Sequence, residues 1–258
     1  MTRQRRACLL SCIAAVVLLS GGAARAASND EIQVYDDTIN KPGELGVDVH
    51  TNYVVSGLKM PQWPGDSPSN HSFRATPEFN YGLSDGWDAG LYLPFLREAN
   101  GGRHLEGVKL RLKYVSAPKD SVFYWGCNEE LGRVSLRSSD QHWNLEVRPI
   151  FGYHMEKWHF TVNPALGVPL TGPGGSVDFS PSLRVRYELR EDFAFGVEHY
   201  AGLGNPFNPS PYDKQTQNTY VVVDSEVAGH AVNFGIGRGW NANSDKWTVK
   251  AIIGTVFN

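Results

Sequence analysis

The sequence predicts an all-β fold, a transmembrane antiparallel up-and-down β-barrel of about 12 strands. Apolar and polar residues alternate with a period of two along many short stretches, which is typical of strands whose faces meet different surroundings. Short turns alternate with longer loops, the usual pattern of bacterial outer-membrane barrels. After the first residues, no apolar run approaches the roughly 18 to 20 residues of a spanning helix, which excludes a helical membrane protein.

The clearest stretch runs from Trp143 to Val168 and predicts a hairpin. Each half alternates apolar with polar residues, and a turn at His154 to Lys157 joins the halves. A soluble sandwich would bury the apolar face against a second sheet, whereas a membrane barrel would turn it toward lipid. The apolar members are Trp143, Leu145, Val147, Phe151, Tyr153, Trp158, Phe160, Val162, Leu166 and Val168.

The same alternation predicts strands on both sides of this hairpin. In chain order they fall near 45–53, 73–81, 87–93, 108–114, 123–131, 179–188, 193–197, 220–225, 232–239 and 247–257. Aromatic residues flank the short turns, which favours an interfacial girdle over core packing. The flanking pairs are Tyr81 with Trp87, Tyr114 with Phe123, Tyr153 with Trp158, and Tyr187 with Phe193.

Two features disagree with a regular barrel. Glu129 shares the parity of apolar neighbours, so the pattern predicts either a bulge or a rim position for it. Several prolines fall inside or near predicted strands, where the missing N–H must be accommodated by bulges or early strand ends. These prolines are Pro77, Pro94, Pro149, Pro164, Pro169 and Pro181.

The N-terminal residues 1–26 read as a signal peptide. Arginines precede an apolar run from Ala7 to Leu19, and Ala24-Arg25-Ala26 resembles a cleavage site. Removal of four arginines with the signal takes the formal net charge from −3 to about −7, which argues against a nucleic-acid partner. Cys127 is then the remaining thiol, so no disulfide framework forms within one chain.

These observations predict a domain order and a location. Residues 1–26 form the signal peptide, 27–42 a periplasmic N-terminal segment, and 43–258 the barrel. We expect the mature chain in the outer membrane of a Gram-negative bacterium, as a monomer with lipid around it and a small-molecule solute inside. No cofactor is expected. The sequence leaves open whether the polar N-terminal segment plugs the lumen.

Charged residues of the opposite parity are predicted to line the lumen. They either neutralise one another in a filled interior or form a basic pore for anionic solutes, with the row Lys109, Arg111 and Lys113 favouring the pore. The lumen-lining candidates are Arg74, Glu78, Lys109, Arg111, Lys113, Glu146, Arg148, Arg184, Arg186 and Glu188.

No motif predicts catalysis, and we expect no enzymatic activity. His199 lies where a barrel lipid hydrolase would place a base, but Ala201 occupies the position where a nearby hydroxyl would be needed. His154 and His159 flank a turn and could approach each other, and rim histidines are favoured over a metal pair.

Three stretches resemble a known family: PEFNYGLSDGWDAGLYLP from Pro77, NPALGVPLTGPG from Asn163, and SPSLRVRYELREDFAFGVEHYAGLG from Ser180. Together they are similar to proteobacterial outer-membrane proteins labelled as transporters of the phenol meta-degradation pathway. This resemblance implies uptake of aromatic or other small hydrophobic compounds, and it carries no active-site residues. The predicted function is therefore an outer-membrane channel or transporter for small solutes. The alternatives are a lipid-modifying barrel enzyme and a secreted soluble β-sandwich binding protein.

Overall fold

A computed structural model of the chain describes residues 30–116, 121–171 and 176–257. The predicted signal peptide lies outside the described residues, as do the tips of the turn at 117–120 and of the loop at 172–175. Within the described residues, no helix is long and apolar enough to cross a membrane.

The regular secondary structure of the described chain is almost entirely β. Its strands are β1 Leu45–Ser56, β2 Phe73–Ser84, β3 Trp87–Tyr92, β4 Phe95–Arg97, β5 Arg103–Leu105, β6 Gly107–Ser116, β7 Phe123–Val134, β8 Trp143–Met155, β9 Trp158–Pro169, β10 Asp178–Arg190, β11 Phe193–Gly202, β12 Gly204–Asn205, β13 Asn208–Pro209, β14 Thr216–Val227, β15 His230–Gly239 and β16 Trp247–Phe257. A 3-10 turn spans Tyr212–Lys214.

The strands close into a barrel, as the sequence predicts. Neighbours pair antiparallel around the sheet, and β1 pairs with both β2 and β16, so Leu45 lies opposite Tyr81 on one side and Phe257 on the other. β4 continues the line of β3 along β2, and β5 leads into β6. β12 and β13 form a small hairpin within the long loop. The described residues therefore form a closed wall of 12 strands.

The outer face of the wall is apolar. Side chains in the middle of strands, far from any turn, are widely exposed, with Val221 at 65% and Leu110 at 57%. The polar parity is turned inward and buried, as for Thr76 and Asn163. The soluble β-sandwich alternative is therefore wrong, because a sandwich would cover the apolar face with a second sheet.

Ring contacts connect neighbouring strands at the end that carries the short turns, which we call the short-turn end. Trp87 packs on Tyr114 with ring centroids 4.8 Å apart, and Tyr114 contacts Trp125 at 5.5 Å. Further round, Trp158 meets Tyr187 at 4.7 Å. Tyrosine and tryptophan suit the membrane interface because each has an apolar ring and a polar atom.

Some prolines interrupt the strands or their pairing, and others lie within continuous ladders. Pro94 separates β3 from β4, and Pro169 is the last residue of β9. The ladder between β8 and β9 pairs Val147 with Leu166 and next pairs Phe151 with Val162, so the skipped residues include Pro149 and Pro164. By contrast, Pro77 and Pro181 lie within continuous ladders, opposite Val49 and Pro164.

Glu129 lies in the middle of β7. The register between β6 and β7 runs without a shift, with Glu129 opposite Leu112, so neither the predicted bulge nor the rim position is found. Close by, Cys127 and Val147 are buried although their parity points outward, because Tyr114 and its aromatic neighbours cover them. On this part of the outer face, aromatic rings therefore form a second layer over Cys127 and Val147.

The outward orientation of β14 leads to a test with Val221→Arg. We expect this charge on the lipid face to lower the free energy of unfolding by about 2–4 kcal/mol, because it lies near mid-strand. Urea unfolding of the protein in lipid vesicles measures the change. Val227→Arg, beside a turn, is the matched control and should cost about 0–1 kcal/mol. Equal costs at both positions would contradict a bilayer around the barrel.

Candidate functional site: a lumen shared by wall charges and the N-terminal segment

Residues 30–42, which we call the luminal segment, run inside the barrel. The segment joins β1 at the short-turn end, where Gly43 donates its N–H to the Gly82 carbonyl oxygen at 2.8 Å. Wall side chains donate hydrogen bonds to its main-chain carbonyl oxygens along most of its length. These are Thr76 to Asp30, Lys250 to Ile32, Arg148 to Gln33 and Lys113 to Thr38.

Tyr35 anchors the middle of the luminal segment. Its backbone N–H donates to the Asn163 side-chain oxygen at 2.7 Å, and the Asn163 amide donates back to the Tyr35 carbonyl at 2.9 Å. The phenol oxygen lies 2.9 Å from that of Tyr92 and 3.2 Å from Glu130. The Arg148 guanidinium lies 4.9 Å from the ring centroid, a cation–π distance. The side chain is 1% exposed, so this anchor is fully inside the protein.

The first charge cluster of the wall is centred on Arg111 of β6. Its guanidinium lies 3.2 Å from Glu78 and 2.7 Å from Asp88. His50 contacts the other oxygen of Glu78 at 2.9 Å. All four residues are buried, so each charge depends on its partners for the interactions that water would otherwise supply.

The second cluster connects the wall to the luminal segment. Lys109 Nζ lies 3.1 Å from Asp30, 2.5 Å from Glu31 and 3.1 Å from Glu130. Two of these three carboxylates belong to the segment, so ion pairs hold the segment to the wall lysine. Next to this cluster, Arg148 contacts Glu146 at 2.5 Å.

The third cluster occupies the opposite wall. Arg184 contacts Asp224, and it lies 3.4 Å from Glu198 and 3.6 Å from Asp36 of the segment. Lys250 donates to Glu198 at 2.5 Å. Acidic and basic side chains thus form one connected network that spans β10, β11, β14 and β16.

The structure brings most of the lumen-lining candidates into these three clusters. Glu78, Lys109, Arg111, Arg148 and Arg184 form ion pairs with the partners given above, and Lys113 holds Thr38 of the segment. Arg186 and Glu188 lie 3.7 Å apart near the short-turn end. Arg74 is turned instead toward the long loops, where it donates to Ser138 at 2.8 Å.

Sequence reasoning missed the acidic residues of the luminal segment and Glu130. Asp30, Glu31 and Asp36 belong to a stretch with no periodicity, so no pattern assigns them to the lumen. Their signal is compositional, because a short polar segment with several acids precedes a barrel whose predicted lumen carries basic rows. Glu130 was hidden by the irregular pattern around Glu129.

Within the described residues, the luminal segment borders a larger and a smaller cavity. The larger one, about 580 Å³, opens at the short-turn end between the segment and a wall formed by β1–β3, β6, β10, β11 and β14–β16. The smaller one, about 110 Å³, lies toward the long loops under Trp63. Lys250 lines the larger cavity and Thr248, two residues earlier on β16, lines the smaller one. A layer at Lys250, Glu198 and the Ile32 carbonyl therefore separates the two spaces.

The long loops cover the other end of the barrel. The Trp63 indole donates to the Leu136 carbonyl at 2.7 Å, which joins two loops over the lumen. Ser69 and the Leu58 N–H both donate to Asp245 of a third loop. Burial raises the pKa of the Asp245 carboxyl, and the hydrogen bond from Ser69 opposes this rise.

Known structures of this shape are outer-membrane barrels. The COG4313 outer membrane channel from Pseudomonas putida F1 aligns with a TM-score of 0.61 at 15% identity, covering 88% of this chain and 100% of that chain. The NanC porin aligns at 0.56 and 11% identity, covering 81% and 98%, and the KdgM porin at 0.55 and 9%, covering 83% and 98%. No family model and no curated protein matches the chain. These likenesses establish the fold of an outer-membrane β-barrel.

The Arg111 cluster gives a test of the charge network. Arg111→Met leaves Glu78 and Asp88 buried without their cation, so we expect the free energy of unfolding to fall by about 3–5 kcal/mol. Arg133→Met is the matched control, since Arg133 is exposed on β7, and it should change stability by about 0.5 kcal/mol or less. Urea unfolding followed by tryptophan fluorescence compares the two variants. Equal stability of both would show that the pairing is not structural.

Proposed function

We propose that the protein is an outer-membrane channel that takes up small solutes, with the luminal segment as the part that limits passage. The observation that carries this proposal is the arrangement of the two cavities in series inside a closed wall, separated by one layer at Lys250. The layer includes the Ile32 carbonyl of the luminal segment. The segment is covalently joined to the wall at one end and is held by hydrogen bonds elsewhere. Displacement of this segment would join the cavities without any change in the wall.

Proteins of similar fold support a channel function. The three outer-membrane structures that share this fold are called a channel or a porin. Their sequence identity to this chain is low, so they support the class of function and not the solute.

The size and lining of the larger cavity support a solute of about one or two rings. About 580 Å³ falls within the range of pockets that hold small organic molecules. Val34, Ile39, Val232 and Ile252 give it apolar patches between the charged side chains. The resemblance to the phenol-pathway transporters points to aromatic or other small hydrophobic compounds, and we propose these as the solute class.

The larger cavity does not extend the basic row into an anion pore. Lys109 is engaged by three carboxylates, and Lys113 by a carbonyl of the segment. Along the cavity as a whole, nine acidic side chains line the space against five basic ones. The excess of acidic side chains in this lining favours cations and neutral molecules over anions.

A lipid-modifying enzyme is the weaker alternative. His199 Nδ1 lies 2.9 Å from the Thr219 hydroxyl and its Nε2 lies 2.9 Å from the Gln217 side-chain oxygen, on the outer face. A base and a hydroxyl do meet on adjacent strands, but the Trp240 indole N–H also donates to Thr219 at 2.8 Å. The partners recorded for His199 in the described chain are neutral, so no carboxylate stabilises an imidazolium there. We therefore propose no enzymatic activity.

As to partners, we propose a monomer surrounded by outer-membrane lipid, with a small-molecule solute and no nucleic acid. The acidic mature chain supports the last point.

Deletion of residues 30–40 tests the role of the luminal segment. We expect single-channel conductance in planar bilayers to rise severalfold, because the two cavities then join and the wall charges become hydrated. A variant in which the same residues are replaced by an equal length of Gly and Ser keeps the covalent arm but removes Tyr35 and the acids. We expect its conductance to switch between the wild-type level and the level of the deletion variant. Wild-type conductance in a deletion variant that still runs as a folded barrel on unheated gels would contradict the proposal.

The lining also predicts ion selectivity. In a KCl gradient we expect a reversal potential of the sign for cation preference in the wild-type protein. Neutralising Glu191 and Glu226 at the mouth of the larger cavity, as Glu191→Gln with Glu226→Gln, should reduce this preference. Glu156→Gln, on an exposed turn outside the cavity, is the matched control. Anion preference in the wild type would instead favour a pore governed by the basic row.

A further inference from the structure

A row of four side chains runs from the luminal segment along the adjacent strands β8, β9 and β10 at the short-turn end. His154 and His159 are cross-strand partners beside the β8–β9 turn, and their Nδ1 atoms lie 2.5 Å apart with the rings nearly perpendicular at 87°. On the far side of each ring is a carboxylate. His154 Nε2 lies 3.0 Å from Asp37 of the luminal segment, and His159 Nε2 lies 3.2 Å from Glu188 of β10.

The hydrogen atoms of this row can be counted. An ionised carboxylate only accepts hydrogen bonds, so both Nε2 atoms must carry hydrogen to satisfy Asp37 and Glu188. A neutral imidazole with hydrogen on Nε2 has a bare lone pair on Nδ1. Two bare Nδ1 atoms at this distance would repel each other. The three contacts are therefore satisfied together only when one cation, a proton or a metal ion, is shared between the two Nδ1 atoms.

The surroundings of the row favour a metal ion. Metal-binding histidines usually donate their second N–H to a carboxylate, which fixes the tautomer and makes the ligating nitrogen more basic. Both histidines here already have that partner. Imidazole is a preferred ligand of Zn²⁺, Cu²⁺ and Ni²⁺, with metal–nitrogen distances of about 2.0–2.1 Å for zinc. A small rotation of each ring would widen the gap enough to admit such an ion.

The local charge has the right sign for a divalent cation. Besides the two carboxylates of the row, Asp36 lies next to Asp37 on the segment, where it faces Arg184 at 3.6 Å. Arg186 of β10 is the basic group near His159, and it lies 3.7 Å from Glu188. The Tyr124 ring of β7 packs against His154 with centroids 5.1 Å apart.

We propose that His154 and His159 bind a divalent transition-metal ion through their Nδ1 atoms at the short-turn mouth of the lumen. Among the described residues no third metal-binding side chain joins them, so water completes the coordination. The histidine side chains are 29% and 21% exposed, which gives water and the ion access. Because Asp37 supports one ligand from the luminal segment, the ion binds most tightly when the segment is docked, and it holds the segment in place in return.

The test is titration of the detergent-solubilised mature protein, without a histidine tag, with ZnCl₂ in a calorimeter. We expect one Zn²⁺ per chain, and no binding of MgCl₂ because imidazole does not suit that ion. His159→Gln should weaken Zn²⁺ binding by at least tenfold, since one of two ligands is lost. His199→Gln is the matched control and should bind like the wild type, because His199 contacts only neutral oxygens among the described residues.

Two further measurements separate this site from adventitious binding. Asp37→Asn leaves both ligands in place and should still reduce the affinity by about 10–100-fold. With CuCl₂, the electron paramagnetic resonance spectrum should show two nitrogen ligands in the wild type and one in His159→Gln.

The decisive comparison uses variants that fold. Each variant is accepted only if it shows the heat-modifiable gel mobility of a folded barrel. Equal Zn²⁺ affinity in the wild type and in a folded double variant, His154→Gln with His159→Gln, would overturn the proposal. Wild-type affinity in folded Asp37→Asn would equally overturn the role of the luminal segment in the site.

Discussion

The structure depends on one constraint, that charges turned away from lipid must find their partners inside a narrow lumen. A closed barrel of this size has little room for bulk water, and an isolated buried charge is costly. Arg111 meets this constraint with Glu78 and Asp88, and Lys250 meets it with Glu198. The apolar outer face and the paired interior are thus two results of the same alternation along each strand.

The wall alone does not satisfy the constraint. Lys109 has one carboxylate from the wall and two from the luminal segment, and Arg184 also reaches Asp36 of the segment. The segment therefore belongs to the electrostatics of the barrel although it belongs to no strand. This explains how a peptide without regular structure has a defined place. It also means that any displacement of the segment must be accompanied by entry of water or ions to the lysine and arginine that it leaves.

The sequence predicted the class of fold and the parity of nearly every strand, because a period of two is a strong signal where one face meets lipid. It did not predict the local exceptions. Glu129 keeps the outward parity in mid-strand, and Cys127 is covered by aromatic neighbours whose arrangement depends on three strands at once. The ten lumen candidates followed from parity alone. Their partners did not, since Asp30, Glu31 and Asp36 lie in a stretch without periodicity and are positioned by tertiary contacts.

The position of the luminal segment in the chain has a consequence for biogenesis. The segment continues directly into β1, and β1 forms the seam with the last strand, β16. Its binding partners lie on opposite arcs of the cylinder, with Asn163 on β9 and Lys250 on β16. The luminal segment, an N-terminal arm of the barrel, can reach all of them together only after the first and final strands of the polypeptide have paired. Completion of the cylinder therefore comes before sealing of the pore, because the sites that hold the arm exist together only in the finished barrel.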